Sequence, residues 1–208
     1  MKQGNKTNSR YLTQMALLTA IIILMAFTPL GYLRLGPIEI TFIMIPVVVG
    51  AILLGPGAGA ILGGVFGLTS FIQCFGMSAF GATLLQVSWF RTLVLCMVPR
   101  ILMGWLSGLI FRALYRIDKT RLVSFATASL SGALLNTIFF VGGIGLLFYD
   151  TALNMAAQDG ISVLGFLIAM ISTNSIIEMG VCLVIGTAIT KALYKALGRH
   201  NIADKKEK

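Results

Sequence analysis

Long apolar runs, separated by short polar interruptions, fill the chain from residue 11 to residue 193. They cover residues 11–30, 41–54, 58–75, 90–114, 122–148 and 161–193. A membrane-spanning helix needs about 20 mostly apolar residues. The second run is short, contains Pro46 and ends at a Gly-Pro-Gly turn signal, so it could be a re-entrant segment. We interpret it instead as the first helix of a helical hairpin, with the third run as the second helix. The pattern therefore predicts an all-α integral membrane protein with six transmembrane helices.

Composition agrees with a membrane protein. Of the 208 residues, 57% are hydrophobic and only 11% are charged, which is far from the balance of a water-soluble domain. The basic residues are concentrated in residues 2–10, 112–121 and 191–208. Cytoplasmic loops are enriched in Lys and Arg, and six crossings place all three clusters on one side. We therefore expect both termini to be cytoplasmic.

This topology divides the chain into three parts. Residues 1–10 form a basic cytoplasmic N-terminus, residues 11–197 a single six-helix membrane domain, and residues 198–208 a basic cytoplasmic tail. The net charge of +9 is then explained by orientation and by attraction to anionic lipid. The expected partner of these charges is the lipid bilayer, and no nucleic-acid partner is expected.

The inventory of reactive residues excludes several enzyme classes. The one histidine, His200, lies in the basic tail, so a histidine-ligated metal or a histidine general base is not available to the membrane domain. Every aspartate falls in a loop or a tail. The three cysteines, Cys74, Cys96 and Cys182, are scattered, and we interpret them as small apolar packing residues. No phosphate-binding loop is present, so we expect no catalytic residue, metal or cofactor in this chain.

Glycines repeat at four-residue spacing in two of the predicted helices. They are Gly59, Gly63 and Gly67 in the third helix, and Gly104 and Gly108 in the fourth. Small residues at this spacing allow helices to approach closely in lipid. We interpret them as packing residues and not as ligand contacts.

Two ionisable residues fall inside the predicted membrane segments. Arg100 and Glu178 are functional candidates, because an intramembrane charge costs roughly 3 kcal/mol on insertion scales. Asn136, Asn174 and Gln73 are their main uncharged polar companions, and Asn174 and Glu178 share one helical face.

Two interpretations of Arg100 remain open. It either pairs with Glu178 across the bundle, which gives little net stability, or offers a bidentate fork to an anionic ligand from about 15 Å below the outer boundary. Pro99 frees a backbone carbonyl at that depth. Arg91 and Trp89, near the outer mouth, are either site residues or membrane anchors.

Local sequences resemble the substrate-capturing S components of energy-coupling factor (ECF) vitamin transporters. The resemblance is carried by "ALLTA" at residues 16–20, "IPVVVGAILLGPGAGAILGGVFGL" at 45–68, "PRILMGWLSGLIF" at 99–111, Asn136-Thr137, and "NSIIE" at 174–178. It covers nearly the whole chain. The outer sequence "LGPIEITFIMIPVVVGAILLGP" is most similar to the pantothenate type.

The resemblance implies a function, partners and a location. Such a protein binds a small anionic vitamin from outside the bacterial plasma membrane, with the first outer loop, residues 31–41, covering it and Gly36-Pro37 as a hinge. The whole subunit would then topple to release the vitamin inward. Ala16 and Ala20 match the small residues that contact a transmembrane T subunit, although Leu24 stands where a third alanine is expected. ATP would be used by two partner ATPase subunits and not by this chain.

Three alternatives to pantothenate capture stay open. One is an S component for another vitamin, such as folate or riboflavin. Another is a self-sufficient, proton-coupled secondary transporter with Glu178 as proton carrier, although no convincing internal repeat of the kind common in that class is found. The last is a structural or assembly subunit with an internal pair of Arg100 and Glu178.

Overall fold

The structure is a computed structural model that describes residues 3–29, 31–35, 38–118, 122–158 and 160–196, without the side chains of residues 3–8, 33–35, 38–40, 170 and 172–174. The predicted C-terminal tail, residues 198–208, and the predicted hinge at Gly36-Pro37 lie outside the described residues. The described part is predominantly helical. Its helices are α1 (Gln3–Ala26), α2 (Met44–Leu54), α3 (Pro56–Gln73), α4 (Ala79–Val87), α5 (Trp89–Tyr115), α6 (Leu122–Leu147), α7 (Tyr149–Gln158), α8 (Val163–Val181) and α9 (Thr187–Ala196).

The predicted apolar runs correspond to helices, with differences at their ends and in the connections. The last run is not one regular helix, because a π-helical segment, Cys182–Gly186, joins α8 to α9. The predicted outer connections at residues 76–89 and 149–160 contain the short helices α4 and α7. Ser78 and Ser88 accept hydrogen bonds from backbone N–H groups three residues later, which starts α4 and α5 at those points.

A small β-hairpin occupies the first predicted outer loop. Strands β1 (Tyr32–Leu35) and β2 (Ile38–Thr41) pair antiparallel, with Tyr32 opposite Thr41 at the open end. The sequence predicted only a loop here. Pairing with the neighbouring strand satisfies backbone groups that a bare loop would leave to water.

Four helices in the described residues are long and apolar enough to cross a membrane. They are Ser9–Ala26, Trp89–Tyr115, Leu122–Leu147 and Ser175–Ala196. A fifth span results if Tyr149–Gln158 and Val163–Ala169, bent by 88°, are counted as one. Met44–Leu54 is a shorter apolar helix, as its run predicted, so the six-span topology stays a prediction.

The turn between α2 and α3 forms where the Gly-Pro-Gly signal predicted it. Gly55 has φ of 105°, a left-handed conformation that favours glycine, and Pro56 begins α3. The two helices pack against each other.

Helix α3 lies directly against α5 through the glycines that the sequence singled out. A Cβ added to Gly59 would lie 2.3 Å from the Gly104 carbonyl oxygen, one added to Gly63 would lie 2.2 Å from that of Arg100, and one added to Gly67 would lie 2.7 Å from that of Cys96. None of these distances is sterically possible, so the close approach requires glycine. The packing interpretation is confirmed, and it fixes the backbone that carries Arg100.

Candidate functional site

A cavity of about 510 Å³ lies between the hairpin and helices α3 to α8. Four of the residues predicted for the site line it, namely Gln73, Arg100, Asn136 and Glu178. They come from α3, α5, α6 and α8, so the fold gathers positions separated by more than 100 residues in sequence. The volume is within the usual range of small-molecule sites, roughly 300–1,000 Å³.

Arg100 is held by a carbonyl that Pro99 leaves without its helical donor. In a regular helix the N–H of residue 99 would donate to the carbonyl of Leu95, but proline has no N–H. The Arg100 Nη1 atom donates to that Leu95 oxygen at 2.9 Å. The freed carbonyl predicted from the sequence therefore has an identified partner, which orients the guanidinium.

Aromatic rings enclose the rest of the guanidinium. The Cζ atom of Arg100 lies 4.5 Å from the ring centroid of Phe140 and 5.5 Å from that of Phe66. Such contacts attract a cation without neutralising it. The residue is only 7% exposed, and its buried Nε atom has no hydrogen-bond partner among the described residues. The site therefore presents a buried positive charge whose Nε–H donor is available to a ligand.

Glu178 does not form the predicted alternative pair with Arg100. Its Oε1 atom accepts a hydrogen bond from the backbone N–H of Thr41 at 2.7 Å, and no ion pair with Arg100 is present although both line the cavity. Thr41 is the last residue of β2 and also lines the cavity. Glu178 therefore ties the open end of the hairpin to α8 and does not bond the guanidinium directly.

Polar groups continue around the cavity wall. The Oδ1 atom of Asn136 is buried and has no hydrogen-bond partner among the described residues. Next to it, the Ser175 hydroxyl donates to the Thr137 hydroxyl at 2.9 Å. The Nε2 atom of Gln73 donates to the carbonyl of Ala26 at the end of α1, so this side chain holds two elements together at the cavity.

Two predicted site residues, Trp89 and Arg91, are not among those that line the cavity. Trp89 is 65% exposed, and Arg91 donates from Nη1 to the carbonyl of Leu147 at 3.3 Å on an exposed surface. Both positions suit the anchor interpretation. The side chain of Asn174 lies outside the described residues.

Several lining residues were not proposed from the sequence. Thr41, Thr137, Phe140 and Ser175 all line the cavity. Three of them had a usable signal. Ser175 lies three residues before Glu178 on the same helical face, Phe140 lies four residues after Asn136 on the same helical face, and Thr137 directly follows Asn136. The position of Thr41 at the cavity depends on how distant segments meet, which the sequence does not reveal locally.

All three cysteines are buried, as the packing interpretation predicted, and two of them also line the cavity. Cys182 is a buried member of the apolar core, as expected, whereas Cys74 and Cys96 line the cavity. Within the described residues no group of three or more His, Cys, Asp or Glu side chains is placed to hold a metal ion. The wall thus offers hydrogen bonds, one guanidinium, the Glu178 carboxylate and aromatic surface, which suits binding of a small polar molecule.

The chain is similar to known transporter proteins. Residues 10–190 match the family described as ECF transporter, substrate-specific component. The pantothenate transporter PanT of Leuconostoc mesenteroides is 31% identical over 206 residues, which is 96% of this chain and 98% of that protein. The pantothenic acid transporter PanT of Lactococcus lactis subsp. cremoris is 30% identical over 172 residues, 77% of this chain and 80% of that protein. With its long apolar helices, the chain is a multi-pass membrane protein of the type found in bacterial plasma membranes.

Proposed function

Because the chain belongs to the family of substrate-specific (S) components of ECF transporters, we propose that it captures pantothenate, a small anionic vitamin, in the cavity around Arg100. The observation that carries this proposal is the buried guanidinium that lacks a carboxylate partner among the described residues. An unpaired buried charge is costly, and a ligand carboxylate would remove that cost. The two relatives named for pantothenate transport support the choice of vitamin.

The chemistry of pantothenate fits the groups in the cavity wall. Its one carboxylate can accept hydrogen bonds from the free N–H groups of Arg100, which suit a bidentate anion. Its amide N–H and hydroxyl groups are donors for the unpaired Oδ1 of Asn136. Gln73, Asn174 and Glu178 remain further contacts in this proposal. Uncharged vitamins would leave the arginine without a counter-charge.

Transport itself requires other chains in this proposal. The membrane domain has six crossings with both termini in the cytoplasm, and it docks on a transmembrane T subunit that is coupled to two ATPases. ATP is used by those partners, so this chain is not an enzyme and needs no cofactor. Ala16 and Ala20 are exposed on α1, which supports their predicted role as the small residues of the docking face.

The hairpin would cover the bound vitamin before the subunit topples to release it inward. Tyr32 and Thr41, at its open end, line the cavity, and Glu178 bonds to the Thr41 backbone, which supports a covering role for this segment.

Titration calorimetry on the purified protein tests the capture role. Pantothenate is the ligand, riboflavin and folate are comparators, and the variants are Arg100→Gln and Arg91→Gln. Arg91 is the matched control, because it is also an α5 arginine bonded to a backbone carbonyl but does not line the cavity. Removing one partner of a buried charge pair costs roughly 2–5 kcal/mol, so Arg100→Gln is expected to weaken binding about 30-fold or more. Arg91→Gln should bind as the unmodified protein does.

The outcomes separate the alternatives. Binding of riboflavin or folate in place of pantothenate would keep the family function and reject the vitamin. No binding of any of the three, with an Arg100→Gln variant that misfolds or fails to assemble, would instead make Arg100 a structural residue of an assembly subunit.

Vesicles test the energy source. Uptake of pantothenate should require the T subunit, the ATPases and internal ATP. Uptake by this chain alone, driven by a proton gradient without ATP, would contradict the proposal and favour a secondary transporter.

A further inference from the structure

Two cysteine side chains face each other in the cavity wall. The Sγ atoms of Cys74, at the end of α3, and of Cys96, in α5, are 4.0 Å apart. Both residues are thiols, they are 5% and 4% exposed, and both line the cavity. Cys182 is equally buried but belongs to the apolar core, so the chain contains its own comparison thiol.

The surroundings keep this pair together. The Cys74 thiol donates to the carbonyl of Ser70 at 3.4 Å, one turn earlier in α3. A Cβ added to Gly81 would lie 2.6 Å from the Cys74 sulfur, so α4 leaves space for this sulfur only because it has glycine there. On the other side, the glycine contact between Gly67 and the Cys96 backbone sets the distance between α3 and α5. The two sulfurs therefore meet as a consequence of the helix packing.

A disulfide requires a modest movement from this arrangement. Its S–S bond is about 2.05 Å long, so the two sulfurs must approach each other by about 2 Å. Rotation about the Cα–Cβ bonds moves a sulfur atom over such distances, and the cavity provides free volume on one side of the pair. Within the described residues, Cys182 makes no thiol–thiol contact with either of these cysteines.

We propose that Cys74 and Cys96 form a dithiol site that reacts reversibly with low-molecular-weight disulfides entering the cavity. One thiolate attacks a sulfur of the small disulfide, forms a mixed disulfide and releases one small thiol. The second cysteine then attacks the protein sulfur of that mixed disulfide and releases the second small thiol. Two protein thiols are oxidised, one small disulfide is reduced to two thiols, and the two protons pass to the departing thiolates.

This site adds a function to the cavity that does not depend on which vitamin it binds. The new bond would join the end of α3 to α5 one helical turn from Arg100 and directly next to Gln73. Both of these residues line the cavity. Oxidation would therefore act on the walls of the binding site and not on a remote surface.

Intact-mass measurement on the folded protein tests this proposal. The probe is bis(2-hydroxyethyl) disulfide, because it is small and neutral. The samples are the unmodified protein, Cys182→Ser, Cys74→Ser and Cys96→Ser, each with a denatured portion as a control that the reagent reacts with every thiol. Peptide mapping under non-reducing conditions then identifies the linked residues.

The expected result differs between the variants. The unmodified protein and Cys182→Ser should lose the mass of two hydrogen atoms, contain a link between residues 74 and 96, and recover with a reducing agent. Cys74→Ser and Cys96→Ser cannot close the bond, so each should retain one mercaptoethanol adduct instead.

Three results would overturn the proposal: no reaction of the folded unmodified protein, two separate adducts without a link, or a link that includes Cys182. The unmodified protein and Cys182→Ser decide the matter even if the other two variants fail to fold.

Discussion

Replacing Gly63 with alanine tests whether the contact between α3 and α5 positions Arg100. The added Cβ would lie 2.2 Å from the Arg100 carbonyl oxygen and 2.8 Å from its carbonyl carbon. Real Cβ contacts essentially never fall under 3.0 Å, so the two backbones must separate by at least 0.8 Å, the difference between 3.0 and 2.2 Å. The neighbouring residue provides the control: a Cβ on Gly64 meets only the Ile101 side chain, at 3.8 Å.

Gly63→Ala should lower the free energy of unfolding relative to Gly64→Ala. Overpacking costs roughly 1–3 kcal/mol, and a gap of about 1 Å forfeits up to half of the dispersion energy of the atoms along it. Alanine is favoured over glycine within a helix by about 1 kcal/mol, and both variants gain this term. Gly64→Ala should therefore be neutral or stabilising. Gly63→Ala should lose up to about 2 kcal/mol, the remainder after that gain.

Binding provides the second measurement. Movement of the Arg100 backbone shifts the guanidinium, so Gly63→Ala should weaken pantothenate binding by about tenfold, which corresponds to roughly 1.4 kcal/mol. Gly64→Ala should leave the affinity unchanged. Thermal unfolding in detergent and titration calorimetry on both variants measure the two effects. Equal unfolding midpoints and equal affinities in the two variants would refute the reasoning.

Two further substitutions test the contacts of the charged residues. Pro99→Ala supplies an N–H that competes with Arg100 for the Leu95 carbonyl. Calorimetry should show pantothenate binding weakened about fivefold, because one hydrogen bond contributes roughly 1 kcal/mol. The midpoint of thermal unfolding should be unchanged or higher. An unchanged affinity would show that this hydrogen bond does not position the guanidinium. Glu178→Gln keeps an acceptor for the Thr41 N–H but removes the charge, so stopped-flow measurement should show ligand release accelerated by about fivefold. An unchanged rate of ligand release would show that the charge of Glu178 does not help the hairpin to cover the ligand.

The length of the apolar runs located the long helices, although not α4 and α7, because the membrane imposes one strong local rule. A segment in hydrocarbon must satisfy its backbone internally, so a long apolar run indicates a helix without reference to its neighbours. The sequence prediction of α5 at residues 90–114 accordingly differs from Trp89–Tyr115 by one residue at each end. The π-helical segment at Cys182–Gly186 has no such local signal, because its composition is as apolar as the helices on either side.

The charged candidates of the site were predictable, but their partners were not. The free-energy cost of placing a charge inside the membrane was enough to identify Arg100 and Glu178, because such charges are rare. The sequence left open a pair between them, whereas the structure bonds Glu178 to Thr41, which is 137 residues away. Cys74 and Cys96 show the same limit: each resembles an ordinary packing residue, and only the tertiary structure brings their sulfurs to 4.0 Å.

Pro99 and Arg100 are each energetically unfavourable in a membrane helix, and each makes the other less unfavourable. A proline within a membrane helix leaves one carbonyl without its donor, and an arginine there carries donors that lipid cannot satisfy. The hydrogen bond from Arg100 to Leu95 meets part of both needs within one turn of α5. It uses one N–H of the five on the guanidinium, and the rings of Phe140 and Phe66 take its faces without neutralising its charge. Among the described residues the Nε donor has no partner, so the guanidinium is an anchored cation that a carboxylate ligand would complete.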